Sequence, residues 1–172
     1  WDYRILDIED RNPNAAISVS PDSQRFLYVG NETTNYPIIK LRDSNKDQVL
    51  WEYKENSWSN SFILSEEAWF GAVAWSPDSN WVAFSLNEVE PNTSRKQGVY
   101  LLNRDGEHGK FITNFHGTGF LDFAASGLSW SPDGNLLAMA LKDFSGSASN
   151  YYKNRLYIYD LENDTLIDHC DL

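Results

Sequence analysis

The sequence is poor in cysteine, in basic residues and in long apolar runs, and each shortage narrows what the protein can be. Cys170 is the single cysteine among 172 residues, so neither an intrachain disulfide nor a cysteine-based metal site can form. Lysine and arginine total 14 against 25 aspartate and glutamate residues, which gives a net charge of −11. This charge repels phosphate backbones, so we expect no nucleic-acid partner. No run approaches the roughly 18 apolar residues of a membrane span, so we expect no direct membrane insertion.

Catalytic motifs are missing as well. The three histidines, His108, His116 and His169, are scattered along the chain, whereas a catalytic imidazole needs an orienting partner. The Gly-x-Ser-x-Gly motif of a nucleophile elbow does not occur. We therefore predict no enzyme activity, no catalytic residues and no cofactor. Because the chain opens with Trp1 rather than methionine, we also expect a processed or partial chain.

One acidic segment could be considered as a metal site. In DSNKDQ, the residues Asp43, Asn45 and Asp47 repeat the oxygen spacing that opens a calcium loop. Gln48 stands where such a loop needs glycine, and Lys54 stands where it needs a bidentate glutamate. The segment therefore favours a plain hairpin turn, with calcium binding as the minority alternative.

What the sequence does contain is one pattern that occurs three times. SVSPDSQRFLY at 18–28, AWSPDSNWVAF at 74–84 and SWSPDGNLLAM at 129–139 each place a Ser-Pro-Asp turn between two apolar runs. The turns begin at Ser20, Ser76 and Ser131, which are 56 and 55 residues apart. A regular period of this length indicates stacked structural units. Gly134 suits the positive φ that ends such a turn, and Ser23 and Ser79 occupy the same place less comfortably.

Each repeat predicts four antiparallel strands. A short strand precedes the turn, a return strand follows it, and a third strand (YPIIKLRD, GVYLLNRD or RLYIYDLE) leads to a fourth (QVLWEYK, KFITNF or TLIDHC). The return strands are apolar on both faces, which fits a sheet packed between neighbouring sheets. Helical periodicity is missing. The pattern is typical of β-propeller blades, so we predict an all-β fold of three four-stranded antiparallel blades.

These residues also carry a family resemblance. WSPDG, followed by LLAMA and LYIYDLEND, resembles the WD-type propeller repeats of the TolB-like group, and the resemblance recurs over almost the entire chain. Asp160 lies where WD repeats carry the aspartate of their Trp-Asp pair, although Tyr159 replaces the tryptophan and the Gly-His pair is missing. The long repeat and the Ser-Pro-Asp turns favour the TolB-like branch. This resemblance implies a periplasmic or extracellular location.

Three blades do not close a ring. We assign blades to residues 15–70, 71–126 and 127–172, and we assign residues 1–14 to the outer strand of a preceding or shared blade. A propeller normally closes with 4 to 8 blades, so two sheet faces would stay open. We expect a six-bladed ring that is completed by missing sequence, by a protein partner or by a second copy of the chain.

The connections between strands differ in length and composition. Up-and-down strand order places the short turns at one end of the blades and the long connections (55–70, 87–97, 116–127 and 142–153) at the other. Long aromatic loops on a rigid scaffold are typical recognition sites. The predicted binding residues are Trp58, Phe62, Trp69, Phe120, Tyr151 and Tyr152.

A propeller scaffold without catalytic motifs predicts a non-catalytic protein-interaction or assembly module within a larger chain or complex. Two alternatives stay open. The first is the propeller portion of a prolyl-oligopeptidase-like peptidase, whose catalytic domain would lie outside this chain. The second is a propeller that binds a glycan or a small ligand through its loop aromatics. Fold alone does not decide among them, because propellers host many activities.

Overall fold

A computed structural model describes residues 16–30, 38–46, 48–54, 72–89, 95–112, 115–117, 123–143 and 153–171. These residues form three antiparallel sheets that follow one another along the chain, and we call them the first, second and third blade. Within each blade the first four strands pair in chain order, as the repeat predicts, and the second blade has a fifth strand that pairs with its third. None of the described segments forms a helix long and apolar enough to cross a bilayer.

Strand bounds follow the same order in each blade. The first blade consists of β1 (Ala16–Val19), β2 (Arg25–Gly30), β3 (Ile38–Asp43) and β4 (Gln48–Lys54). The second blade consists of β5 (Val73–Trp75), β6 (Trp81–Val89), β7 (Arg95–Asn103), β8 (Gly109–Phe111) and β9 (Phe115–Gly117). The third blade consists of β10 (Phe123–Trp130), β11 (Leu136–Asp143), β12 (Lys153–Asp160) and β13 (Thr165–Asp171).

The structure corrects the sequence-based strands in the second and third blades. The outer strand predicted from KFITNF is two strands, β8 and β9, which pair with opposite ends of the nine-residue β7. The long connection predicted at 87–97 is mostly strand, because β6 continues to Val89 and β7 starts at Arg95. The strand predicted to begin at Gly127 begins at Phe123, and a bulge between Ala125 and Gly127 shifts its pairing with the next strand. The predicted blade boundaries stay predictions.

A serine hydroxyl organises the turn between the first two strands of every blade. In the second blade, Ser76 Oγ donates to Asp78 Oδ1 at 2.5 Å and accepts the Trp81 N–H at 2.9 Å. The Asp78 carboxylate also accepts the Asn80 N–H at 3.0 Å. The same set of bonds is built on Ser20 and on Ser131. Serine and aspartate recur at these positions because together they satisfy the backbone donors of the turn.

The predicted backbone conformation of the turns is confirmed. Ser23 and Ser79 have φ values of 60° and 62°, and Gly134 has a φ of 76°. In each turn the residue with positive φ donates its N–H to the carbonyl of the first serine, at 2.8 to 2.9 Å. The first and third turns of a blade lie at the same end, since Ser44 N donates to Gln24 O at 3.0 Å and Arg104 N donates to Asn80 O at 2.9 Å.

Each blade buries apolar side chains against the next blade. Between the first and second blades, Leu27 and Leu41 pack with Val82 and Phe84 in a continuous apolar cluster. Trp51 extends this cluster, with its ring centroid 5.9 Å from that of Phe84. Between the second and third blades lies a second cluster, formed by Ala83, Val99, Leu101, Ile112, Leu137, Met139, Tyr157 and Tyr159. The second blade is therefore covered on both faces.

A tryptophan joins each pair of neighbouring blades. Trp75, the last residue of β5, donates its indole N–H to the Ser18 carbonyl of the first blade at 3.2 Å. Trp130, the last residue of β10, donates its indole N–H to the Ala74 carbonyl of the second blade at 3.0 Å. Each acceptor lies two residues before the serine of its own turn. The first blade has Val19 at the corresponding position.

Two glycines with nearly the same φ give a matched test of blade contact. Gly106 (φ 75°) lies where an added Cβ would be 2.8 Å from the Leu50 carbonyl oxygen of the first blade, whereas at Gly134 (φ 76°) the nearest atom would be 3.8 Å away. At either φ, replacing glycine by alanine lowers the free energy of unfolding by about 1 kcal/mol through backbone strain. Only Gly106→Ala adds an overlap with the neighbouring blade, so we expect it to lower the free energy of unfolding by about 2 to 3 kcal/mol and Gly134→Ala by about 1 kcal/mol. Urea unfolding of both variants measures the difference, and equal losses would contradict close packing at Gly106.

Candidate interaction surfaces

The aromatic loop residues predicted to bind partners lie outside the described residues. Trp58, Phe62, Trp69, Phe120, Tyr151 and Tyr152 all fall within residues 55–71, 118–122 and 144–152. The long-loop surface therefore stays a prediction. The described residues instead present three other surfaces. Two are the outer faces of the first and third blades, and the other is the end of the blades at which the short turns meet.

The outer face of the third blade is the face that points away from the second blade. Side chains alternate between the two faces of a strand, so the burial of Leu137 and Tyr159 against the second blade turns their neighbours outward. Leu136 and Ile167 on this outer face are 39% and 45% exposed. The face also carries the half-buried Ala138, Ala140, Leu156 and Ile158. Together these residues form an apolar surface, which we call the third-blade face.

The first blade also has an outer face, but its centre is covered. Ile17 and Val19 on β1 are 56% and 55% exposed. Their cross-strand partners Tyr28 and Phe26 are buried, and so is Ile38 on the same face. Among the described residues, the exposed large apolar side chains of the first blade are Ile17 and Val19 on β1 and Val49 on β4.

The end of the blades where the short turns meet is polar. Arg25 Nη1 lies 3.0 Å from Asp43 Oδ2, and Arg25 Nε donates to the Arg104 carbonyl oxygen of the second blade at 3.3 Å. Arg104 Nη2 in turn lies 3.2 Å from Asp22 Oδ2 of the first blade. Asp22 N also donates to Ser79 Oγ at 3.0 Å. These bonds fix the first two blades relative to each other, and the sequence repeat gave no signal for them.

Asp43 serves as a turn residue in this network. Its Oδ1 accepts the N–H groups of Asn45 and Lys46 at 2.9 and 3.0 Å, while its Oδ2 faces Arg25. The backbone bond from Lys46, followed by that from Asn45 and the charge of Arg25, lowers the pKa of the Asp43 carboxyl. The arrangement favours the plain hairpin turn over the calcium alternative, whose third residue, Asp47, lies outside the described residues. Within the described part of the chain, no group of three or more His, Cys, Asp or Glu side chains is placed to hold a metal ion.

An ion pair also connects the second blade with the third. Lys110 Nζ lies 2.7 Å from Asp164 Oδ1, which also accepts the Tyr159 hydroxyl at 2.5 Å. The bond from Lys110, together with that from Tyr159, lowers the pKa of the Asp164 carboxyl. Both charged side chains are largely exposed, so the pair adds little to stability.

The carboxyls at these turns are suited to structural roles. Burial raises the pKa of Asp78, but hydrogen bonds from Ser76 and Asn80 outweigh it, so that the pKa is lowered. The pKa of Asp133 is lowered by the Ser131 hydroxyl and by Asn135, and that of Asp160 by Asn163. A carboxyl with a lowered pKa stays ionised near neutral pH and is a poor general acid or base there.

Asp43→Asn tests the ion pair and its pH dependence. Asparagine keeps an oxygen for the turn, as Asn103 does in the second blade by accepting the Glu107 and His108 N–H groups, but it removes the charge facing Arg25. A lowered folded-state pKa contributes stability that is present above the unfolded Asp pKa of about 3.9 and is lost as pH falls through the folded pKa. We expect Asp43→Asn to lower the free energy of unfolding at pH 7 by about 1 to 2 kcal/mol, and we expect this loss to become smaller as the pH falls towards 2.

Asp160→Asn is the matched control, because Asp160 is bonded to Asn163 in the corresponding turn of the third blade. We expect Asp160→Asn to lower the free energy of unfolding at pH 7 by less than Asp43→Asn does. Chemical denaturation at a series of pH values measures both variants. A loss for Asp43→Asn that is equally large at pH 2 would contradict a charge-based role.

Comparison with known proteins identifies solved structures that share the fold. No family model and no curated protein sequence matches the chain. Among solved structures, the acylaminoacyl peptidase of Pyrococcus horikoshii is similar with a TM-score of 0.56 and 11% identity, over 92% of this chain and 25% of that one. Prolyl oligopeptidase B of Galerina marginata, bound to a 35mer substrate, is similar with a TM-score of 0.53 and 17% identity, over 92% of this chain and 22% of that one.

TolB of Acinetobacter baumannii is also similar, with a TM-score of 0.49 and 21% identity, over 89% of this chain and 31% of that one. The chain thus spans less than a third of the length of each of these three structures. At these identities the likeness concerns the fold. Three antiparallel sheets built from the Ser-Pro-Asp repeat, together with the two peptidase structures, show that the chain has a β-propeller fold.

Proposed function

We propose that the chain is a non-catalytic assembly module, which binds further protein through the open outer face of its third blade. The third-blade face carries this proposal, because the second blade shows how the same positions are used when a neighbour is present. Ala83, Val99 and Leu101 of the second blade are 0% exposed, since the third blade covers them. The corresponding Ala138, Leu156 and Ile158 of the third blade are half-buried.

The chemistry of the third-blade face favours a protein partner. Contiguous apolar surface on a protein marks an interaction site, and an apolar partner surface gains free energy by covering it. The strong negative charge of the chain disfavours nucleic acid as the occupant. A six-bladed ring, completed by further sequence, by another protein or by a second copy, would cover this face. The predicted periplasmic or extracellular location is compatible with this role and stays a proposal.

A second candidate function is the propeller portion of a prolyl-oligopeptidase-like peptidase. It is supported by the peptidases among the structurally similar proteins, of which the chain covers only 22% to 25%. In that case the third-blade face would be covered by another blade of the same polypeptide. A Gly-x-Ser-x-Gly motif in the adjoining coding sequence would favour this candidate. Absence of the motif there would exclude the peptidase hypothesis.

Ile167 and Leu166 offer a matched test of the third-blade face. They are neighbours on β13 with similar exposure, but Ile167 pairs with Ile158 on the outer face and Leu166 pairs with Tyr159 on the inner one. A charge at Ile167 would have to be buried when a partner covers the outer face. We expect Ile167→Asp to weaken association with the native partner at least about tenfold and Leu166→Asp to leave it nearly unchanged.

The measurement is quantitative affinity purification of the tagged full-length protein under native conditions, followed by light scattering. The melting temperature of each variant controls for folding. Equal co-purification with Ile167→Asp and with the unaltered protein would contradict a role for this face in assembly.

A further inference from the structure

The contacts between blades repeat in a way that indicates what the third-blade face binds. At both blade junctions, a tryptophan that directly precedes a Ser-Pro-Asp turn reaches back to the preceding blade. Trp75 donates to the Ser18 carbonyl, and Trp130 donates to the Ala74 carbonyl. Both acceptors occupy the same position of the repeat. The indole thus provides a polar contact at a fixed place beside an apolar junction.

The third blade presents the next acceptor in this series. The position corresponding to Ser18 and Ala74 is Ser129, on β10. Ser129 is exposed, whereas Ser18 and Ala74 are each half-buried beneath the following blade. A carbonyl oxygen has two lone pairs, so it can accept an indole N–H in addition to a bond within its own sheet. The apolar residues Ala138 and Ile158 lie on the adjoining face.

From this series we propose that the third-blade face binds a further propeller blade that carries a tryptophan directly before its Ser-Pro-Asp turn, with the indole donating to the Ser129 carbonyl. This inference rests on the proposed assembly function and names the partner. The apolar part of the contact continues the pattern of the two junctions already present, in which Val82 and Leu137 at corresponding positions cover the blade before them.

A second copy of this chain is a poor occupant. In a head-to-tail arrangement its first blade would cover the third-blade face, but that blade has Val19 where the indole donor is needed. The centre of its outer face is also already buried, at Phe26, Tyr28 and Ile38. The second blade, by contrast, has Trp75 and a face that covers the preceding blade. The partner blade should therefore resemble the second blade rather than the first.

The test supplies such a blade to the intact chain. The full chain is extended at its C-terminus by a second copy of residues 55–117, which contains the second blade and its natural connection. The matched control is the same chimera with Trp75→Phe in the added copy only, which keeps an aromatic ring and removes the N–H. Hydrogen exchange of the backbone amides reports coverage of the third blade, and exchange of the indole N–H reports the bond itself.

We expect the amides of β11 and β12 to exchange at least about tenfold more slowly in the chimera than in the unextended chain, and the added indole N–H to be protected. The Trp75→Phe chimera should show less protection and no such indole signal. The amides of β6 and β7 in the original second blade report, in the same sample, that the chain has folded.

The outcomes separate this inference from the function on which it rests. Equal protection in both chimeras, without a protected indole, would overturn the tryptophan contact and leave the assembly role standing. No protection of the third blade in either chimera, with β6 and β7 still protected, would overturn the docking of a blade on this face. Formation of a stable dimer by the unextended chain through the third-blade face would contradict the exclusion of a second copy.

Discussion

Both faces of the second blade are buried because a sheet packs on each side of it, and most features of this structure follow from that packing. The return strands are apolar on both faces, so a blade in isolation would expose two apolar faces to water. In the second blade, Val82 and Phe84 pack on one side while Ala83 and Leu101 pack on the other. Small residues such as Ala83 let the sheets approach closely.

The turns set the positions at which the blades meet. In each repeat a serine hydroxyl and an aspartate carboxylate fix the first turn, and a backbone bond ties that turn to the third turn of the same blade. Because this unit is rigid, the tryptophan directly before it reaches the same carbonyl at both junctions. Arg25 and Arg104 add ion pairs and hydrogen bonds between the first two blades at the polar end.

The sequence predicted the local and repeated features of this fold and missed those that depend on which surfaces meet. The Ser-Pro-Asp turns, the positive φ at Ser23, Ser79 and Gly134, and the four-strand order follow from local chemistry that recurs in each repeat. The separate pairing of β8 and β9 with β7 could not be read from local pattern, because it depends on which residues meet across the sheet. The only sign of the indole contacts in the sequence is the residue directly before each Ser-Pro-Asp turn, which is tryptophan in two repeats and Val19 in the other.

The candidate site shows the same limit. Alternation of apolar residues indicated two buried faces in every blade, but it could not tell which faces have a neighbour. Exposure of Leu136 and Ile167 became evident only once the order of the blades was known. The Arg25 network likewise joins residues about 80 positions apart, across a junction that no local pattern specifies.

Native-state hydrogen exchange of the unaltered, isolated chain tests most directly whether neighbouring blades supply the stability of each blade. The central strands of two blades provide the comparison, β6 and β7 with neighbours on both sides, and β11 and β12 with a neighbour on one side. We expect the amides of β6 and β7 to exchange at least about tenfold more slowly than those of β11 and β12. Equal or greater protection of β11 and β12 would contradict this expectation, because the third blade would then be stable without a sheet on its outer face.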